Sequence, residues 1–228
     1  MGVLSDKTAI ITGAGTGLGK AIARAMANDG AAVVLAGRRK DKIDAVAGGI
    51  VRNGGTAEAV VADVSQEAQV QALVKQAIEL HGKIDILVNN AAVLETGGVI
   101  DTTLESWNYQ LANNLTGAFL LTREVLPHMR SQRYGRIINI TSGLAVNGAG
   151  GFAAYGVSKA GLEALTRTVA EEESHSQILA SMFDPGTIKT EMHATGTDPD
   201  LVAPDIVQLA ALARPGITGQ LIHFGDTI

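Results

Sequence analysis

What most constrains this chain is a rhythm. Short apolar runs rich in Val and Ile alternate with longer segments of helical period along nearly the whole sequence. Runs of that length and composition suit strands buried on both faces of a parallel sheet, and parallel neighbours need a crossover helix between them. Strands are expected at residues 8–12, 32–36, 57–62, 84–89, 136–141, 178–183 and 220–224, and helices at 17–29, 40–52, 66–81, 104–130 and 151–173. The helical stripes are explicit: Ile43, Val46, Ala47 and Ile50 share one face of the second helix. Gly30, Gly54 and Gly82 follow helices where a left-handed C-terminal turn is expected. The pattern predicts an α/β, doubly wound fold with a seven-stranded parallel sheet flanked by helices, and one domain over residues 1–228.

The bulk properties narrow the function. A chain of 228 residues with 46% hydrophobic content can bury one sizeable core. It has no Cys, so it carries neither disulfides nor a thiolate metal site, and its five His show no metal-ligand spacing. A net charge of -5 argues against a nucleic-acid partner, which calls for clustered Lys and Arg. No basic leader precedes the first apolar run and no run is long enough to span a bilayer, so a soluble, cytoplasmic protein without a membrane partner is expected.

The first strand runs straight into Thr12-Gly13-Ala14-Gly15-Thr16-Gly17-Leu18-Gly19, inside which a helix begins. Glycines permit a tight turn and close approach of backbone N–H groups to a pyrophosphate, and the positive end of the helix dipole favours that anion. A merely tight strand-to-helix turn is the plain alternative. Position decides in favour of a dinucleotide, since the turn follows the first strand of a Rossmann-type alternation.

Tyr155 and Lys159 stand one helical turn apart and reach toward one bound molecule. A free tyrosine, with a pKa of about 10, is too weakly acidic to serve as a base at neutral pH, and a nearby ammonium favours its phenolate. Lys159 is the expected source of that charge. Ser142 closes the fifth strand thirteen positions before Tyr155, at the sheet edge where open α/β sheets bind ligands; a Ser satisfied by its own backbone in a small-residue turn is the alternative. Asn114 falls on the apolar face of the fourth helix, where an amide must find partners. On these grounds alone it is equally a structural helix-kink residue.

Taken together, Thr-Gly-x-x-x-Gly-x-Gly, Asp63-Val64, Asn89-Asn90-Ala91-Ala92, Tyr155-x-x-x-Lys159 and Pro185-Gly186 with Thr190 resemble the short-chain dehydrogenase/reductase family over nearly the whole chain, and bacterial 3-oxoacyl reductases within it. The resemblance implies a reversible hydride transfer between a nicotinamide cofactor and a carbonyl or alcohol. It implies catalytic roles for Asn114, Ser142, Tyr155 and Lys159: Tyr155 as acid and base, Ser142 on the substrate oxygen, Lys159 on the nicotinamide ribose, and Asn114 holding a water that relays protons. By the same resemblance Gly13, Gly15, Thr16, Gly17, Leu18 and Gly19 are expected to line the pyrophosphate, Asp63 and Val64 to meet the adenine, Asn90 and Ala91 to flank the adjoining ribose, and Ile188 and Thr190 to complete the cofactor site. Relatives of this kind are homodimers or homotetramers.

In the family an acid usually ends the second strand and accepts the adenosine ribose hydroxyls. Here Gly37 stands there, followed by Arg38, Arg39 and Lys40. An Arg fork pairs bidentately with a 2′-phosphate, so NADP is expected in preference to NAD. Solvated basic residues at a helix start are the alternative, but the helix dipole disfavours cations there. Thr16 stands where some NADP-binding relatives carry a base.

The chain also departs from the pattern. Ala92 replaces a usual Gly, Ser181 a usual Asn, and Asp184 a small neutral residue before Pro185. Residues 191–204, a substrate lid in relatives, are short, with little apolar bulk beyond Met192, Leu201 and Val202. The Gly-rich stretch at 148–151 points to 3-oxoacyl thioesters or small ketones as substrates; a sugar or polyol dehydrogenase is the alternative. A catalytically silent nucleotide-binding protein is disfavoured because all four reacting groups are present. A hydrolase is weaker still: Ser158 lacks the last Gly of a Gly-x-Ser-x-Gly elbow and falls inside a helix.

Overall fold

The computed structural model describes residues 2–191 and 194–228. Seven parallel strands form one sheet: β1 (Thr8–Thr12), β2 (Ala32–Gly37), β3 (Thr56–Val61), β4 (Ile86–Asn89), β5 (Gly135–Ile140), β6 (Ile178–Asp184) and β7 (Leu221–His223). Their order is β3-β2-β1-β4-β5-β6-β7. The chain therefore builds outward from β1 to β3, then returns and starts again at β4 on the other side. Between β1 and β4 the crossovers diverge and leave a crevice at the carboxyl ends of the strands, the general ligand position of such sheets.

Helices cover both faces. On one lie α1 (Gly17–Asn28), α2 (Lys40–Arg52) and α8 (Pro199–Ala211), packed with Ile11, Val33, Leu35 and Val88 of the sheet. On the other lie α3 (Glu67–His81), α5 (Gly117–Gln132) and α7 (Ala153–Glu172), packed with Ile10, Val34, Leu87 and Ile137. Successive strand residues thus feed opposite cores, which is why the strands read as unbroken apolar runs rather than alternating ones. None of the described helices is long and apolar enough to cross a membrane. As expected, Gly30, Gly54 and Gly82 take positive φ where their helices end.

Two expectations need correction. The helix expected over 104–130 is broken into α4 (Leu104–Leu111), a π-helical turn over Ala112–Thr116, and α5. A π turn inserts one residue into the helical ladder, and the insertion lets Asn114 leave the helix face toward β4. The lid expected over 191–204 is also too long, because residues from Pro199 onward belong to α8. Asp198 caps that helix by accepting from the Asp200 amide at 3.0 Å, and Pro199 sits in its first turn where no N–H is needed. Val202, Ala203, Ile206, Val207 and Ala210 form its buried stripe, which Pro204 concealed in the sequence by resembling a helix stop. Met192, assigned to the same lid, lies outside the described residues. A short helix, α6 (Leu144–Asn147), follows β5 and was not anticipated.

Candidate active site

The crevice between β1 and β4 opens into a cleft of about 730 Å³ that runs from Arg38 and Arg39 at one end to Tyr155 and Asp184 at the other. Of the predicted site residues, Gly13, Gly15, Thr16, Gly17, Leu18, Arg38, Arg39, Asp63, Val64, Asn90, Ala91, Ser142, Tyr155, Lys159, Ile188 and Thr190 all line it. Gly19 and Asn114 do not.

Gly19 acts from behind. A Cβ there would fall against the Gly13 carbonyl and lie 2.5 Å from the Asn90 amide nitrogen, so only glycine lets α1 start this close to the turn. Gly13 itself needs its positive φ of 64°, and a Cβ would stand 2.9 Å from the same Asn90 nitrogen. The turn is pinned by Thr12, which the motif contains but sequence reasoning passed over. Its hydroxyl accepts from the amides of Asn90 and Ala91, both at 3.0 Å, and donates to the Val88 carbonyl at 3.3 Å. The Asn90 side chain completes the brace by donating to the Thr12 carbonyl at 2.9 Å. Asn90 thus borders the cleft while its amide holds β1 and β4 together. A flat groove walled by glycines, opening at the N-terminus of α1, fits a dinucleotide pyrophosphate.

At the end of the cleft next to β2 the two arginines are already engaged. Arg38 donates to the Tyr109 hydroxyl at 3.2 Å. Arg39 donates to Glu191 at 2.9 Å and to the Thr16 hydroxyl at 3.3 Å, and Lys42 stands 3.7 Å from the other Glu191 oxygen. Both ion pairs hold the Glu191 carboxyl below the usual carboxylate range, the Arg39 hydrogen bond most of all. Glu191 and Lys42 were missed because their meeting point depends on the path after β6. Asp63 uses Oδ1 to accept from the amide and hydroxyl of Ser65, at 3.0 and 2.7 Å.

The other end is fixed by one stripe of α7. Lys159 donates to the Ile140 carbonyl at 2.7 Å, Glu163 accepts from the Thr141 hydroxyl at 2.9 Å, and Thr166 accepts from the Asn139 amide at 2.7 Å. Three consecutive residues of β5 and its exit are thereby bonded to positions four and three apart on the helix, and Tyr155 lies one turn earlier on the same stripe. These polar groups are buried, so each needs its partner and the register of helix on strand is fixed.

Tyr155 and Ser142 line the cleft together, and the Lys159 ammonium lies 5.6 Å from the Tyr155 ring centre. The expected lowering of its pKa is not found. Burial first, and the Asp184 carboxylate second, push the Tyr155 hydroxyl up to about 12, against a smaller opposing effect of Ser142. Lys159 is itself taken out of water, which pulls its pKa down to about 8 despite the opposing field of Asp184, and its charge faces the Ile140 carbonyl rather than the phenol.

Asn114 lies behind this group. Its Oδ1 accepts from the Val93 amide at 2.7 Å, and its Nδ2 donates to the Val93 carbonyl at 2.9 Å and the Ser158 hydroxyl at 3.1 Å. Ser158 in turn donates to the Tyr155 carbonyl at 2.7 Å. The side chain therefore ties the segment after β4 to α7, the structural role that its apolar position left open.

A family model described as short chain dehydrogenase matches residues 7–200. The chain belongs to the short-chain dehydrogenase family. It is 39% identical to a 3-oxoacyl-[acyl-carrier-protein] reductase of Synechocystis over 217 residues, covering 95% of this chain and 86% of the relative. The oxidoreductase UcpA of Salmonella typhimurium is 37% identical, with 98% and 89% covered. Among solved structures, a metagenomic short-chain oxidoreductase in complex with NADP superposes with a TM-score of 0.88 at 35% identity, covering 97% of this chain and 98% of that one. A dehydrogenase/reductase from Sinorhizobium meliloti gives 0.90 at 29%, with 97% and 94% covered. The family assignment makes this chain an oxidoreductase with a nicotinamide nucleotide site, and the seven-stranded parallel sheet agrees with it.

Proposed function

We propose that this short-chain dehydrogenase is an NADP-preferring carbonyl reductase acting on 3-oxoacyl compounds or other small ketones, with Tyr155 as the proton donor. The observation that carries the reading is the joining, in one cleft, of a glycine-walled groove at the start of α1 with the Ser142, Tyr155 and Lys159 side chains. A nicotinamide nucleotide bound there supplies hydride to a carbonyl carbon.

The chain's own groups do the rest. A phenol whose pKa stands at about 12 is protonated at neutral pH, the state needed to give a proton to the forming alkoxide. Ser142, held at the β5 exit, hydrogen-bonds the same oxygen and orients it toward Tyr155. Lys159, still largely protonated at neutral pH, offers an ammonium behind the phenol for the nicotinamide ribose. Asn114 keeps the segment after β4 and α7 at a fixed separation, and we assign it, by resemblance to the family, the water that relays protons to Lys159. Gly37 brings no carboxylate to the adenosine end, and Arg38, Arg39 and Lys42 line it, a set that suits a 2′-phosphate. Binding and catalysis then belong to one domain, and the 39% identity to a 3-oxoacyl reductase supports the substrate class. We also assign it to the cytoplasm as a homodimer or homotetramer.

The test follows the absorbance of NADPH, with NADH in parallel, against acetoacetyl thioesters, simple ketones and ketoses. Turnover of ketones or thioesters with NADPH supports the reading. Activity confined to ketoses, or a preference for NADH, would redirect it.

A further inference from the structure

The substrate half of the cleft carries an acid that the mechanism above does not use. Asp184 ends β6, and its side chain is only 10% exposed, yet it lines the cleft together with Ser142, Gly143 and Tyr155. A buried carboxylate ordinarily gathers several donors. Here Oδ1 accepts from the Gly186 amide at 2.9 Å, while Oδ2 has the His223 ring nitrogen at 3.6 Å, beyond hydrogen-bond distance. Oδ2 also stands 3.5 Å from where a Cβ on Gly143 would lie, so it borders the strip of backbone that follows Ser142.

Of the other charges lining the cleft, Lys159 stands close enough to act on Asp184 and offsets it in part. Arg38, Arg39, Lys42, Asp63 and Glu191 belong to the adenosine end. Lys159 sits beneath Tyr155 with its ammonium on the Ile140 carbonyl. A substrate seated against Ser142 and Tyr155 therefore shares the cleft with a largely buried carboxylate. In such surroundings like charges a few ångströms apart repel far more than in water. The Asp184 carboxylate is also, after burial, the second cause of the raised Tyr155 pKa.

Resting on the functional reading above, we propose that Asp184 is a specificity-determining residue, a charge filter that admits uncharged or hydroxyl-bearing carbonyl compounds and rejects those with a carboxylate next to the reacting group.

The test compares kcat/KM for an ester and its acid, methyl acetoacetate and acetoacetate, or the corresponding pair for the best ketone of the panel. The wild type should favour the ester at least about thirtyfold. Asp184→Asn, which can still accept from Gly186, should bring that ratio below about fivefold, and Asp184→Ser serves if the first variant does not fold. Each ratio is internal to one protein, so a general loss of turnover does not disguise it. A wild-type ratio near one, or a ratio unchanged in an active variant, overturns the inference and leaves the functional reading intact. If the wild type reduces no carbonyl with either cofactor, the functional reading fails and this inference goes with it.

Discussion

The side-chain amide of Asn114 satisfies both main-chain groups of Val93, accepting at 2.7 Å and donating at 2.9 Å. It copies a strand partner from within a π turn, and through Ser158 it reaches the carbonyl of Tyr155. Asn114→Ala removes all three bonds at a site only 1% exposed. Leaving buried groups unpaired should cost about 2 kcal/mol, read as a lower urea midpoint with an unchanged slope. Turnover should fall at least about tenfold because the segment after β4 is no longer fixed to α7. A stability loss under about 0.5 kcal/mol would show that water replaces the amide without penalty.

Tyr155→Phe deletes one oxygen and leaves the Lys159 bond to Ile140 in place. Turnover should fall by about a hundredfold or more, the usual worth of a general acid. NADPH binding, measured by fluorescence titration, should change by less than about threefold. A variant retaining a tenth of wild-type activity would remove Tyr155 from its assigned role.

Lys159 gives a pH dependence whose sign can be worked out. Its folded pKa of about 8 lies below the ordinary lysine value, so between about pH 8 and 10 the unfolded chain holds the proton and the folded chain does not. Folding stability from this group rises with pH across that window and is lost again as pH falls through 8. Lys159→Met cannot titrate. Its melting temperature should exceed that of the wild type at pH 7, and the gap should narrow by pH 10. A gap independent of pH would mean that Lys159 keeps its proton throughout.

At the adenosine end, Arg38→Ala should weaken NADPH by about 1.5 to 3 kcal/mol, the worth of hydrogen bonds to a charged group, and leave NADH nearly unchanged. Glu191 makes the opposite prediction. Its carboxylate holds the Arg39 and Lys42 cations that a 2′-phosphate would claim. Glu191→Gln should therefore tighten NADPH several-fold with little effect on NADH. Equal changes for both cofactors in either variant would argue against recognition of the phosphate.

What the sequence disclosed was local. The glycine turn, the Tyr155 and Lys159 pair and the four uninterrupted helices α1, α2, α3 and α7 depend on spacings within a turn or two, which folding preserves. The π turn was hidden because residues 104–130 keep a nearly continuous apolar stripe, and one inserted residue shifts that stripe too little to see. The α8 helix was hidden by Pro204. Thr12 and Glu191 escaped for a different reason: their partners come from afar, Thr12 meeting Asn90 78 positions away and Arg39 meeting Glu191 152 away. The pKa of Tyr155 was misjudged on the same account, because burial and Asp184 act through space and neither is written in the spacing to Lys159.

The stripe of α7 bonded to β5 has a consequence for how this protein can evolve. A phenol anchored to the central sheet by its helix does not depend on the outer loops for its placement. Loop exchange can alter what enters the cleft without disturbing the proton donor, so libraries aimed at new substrates should vary the exposed residues 146–150 and leave Val93, Asn114, Ser142, Lys159, Glu163 and Thr166 untouched.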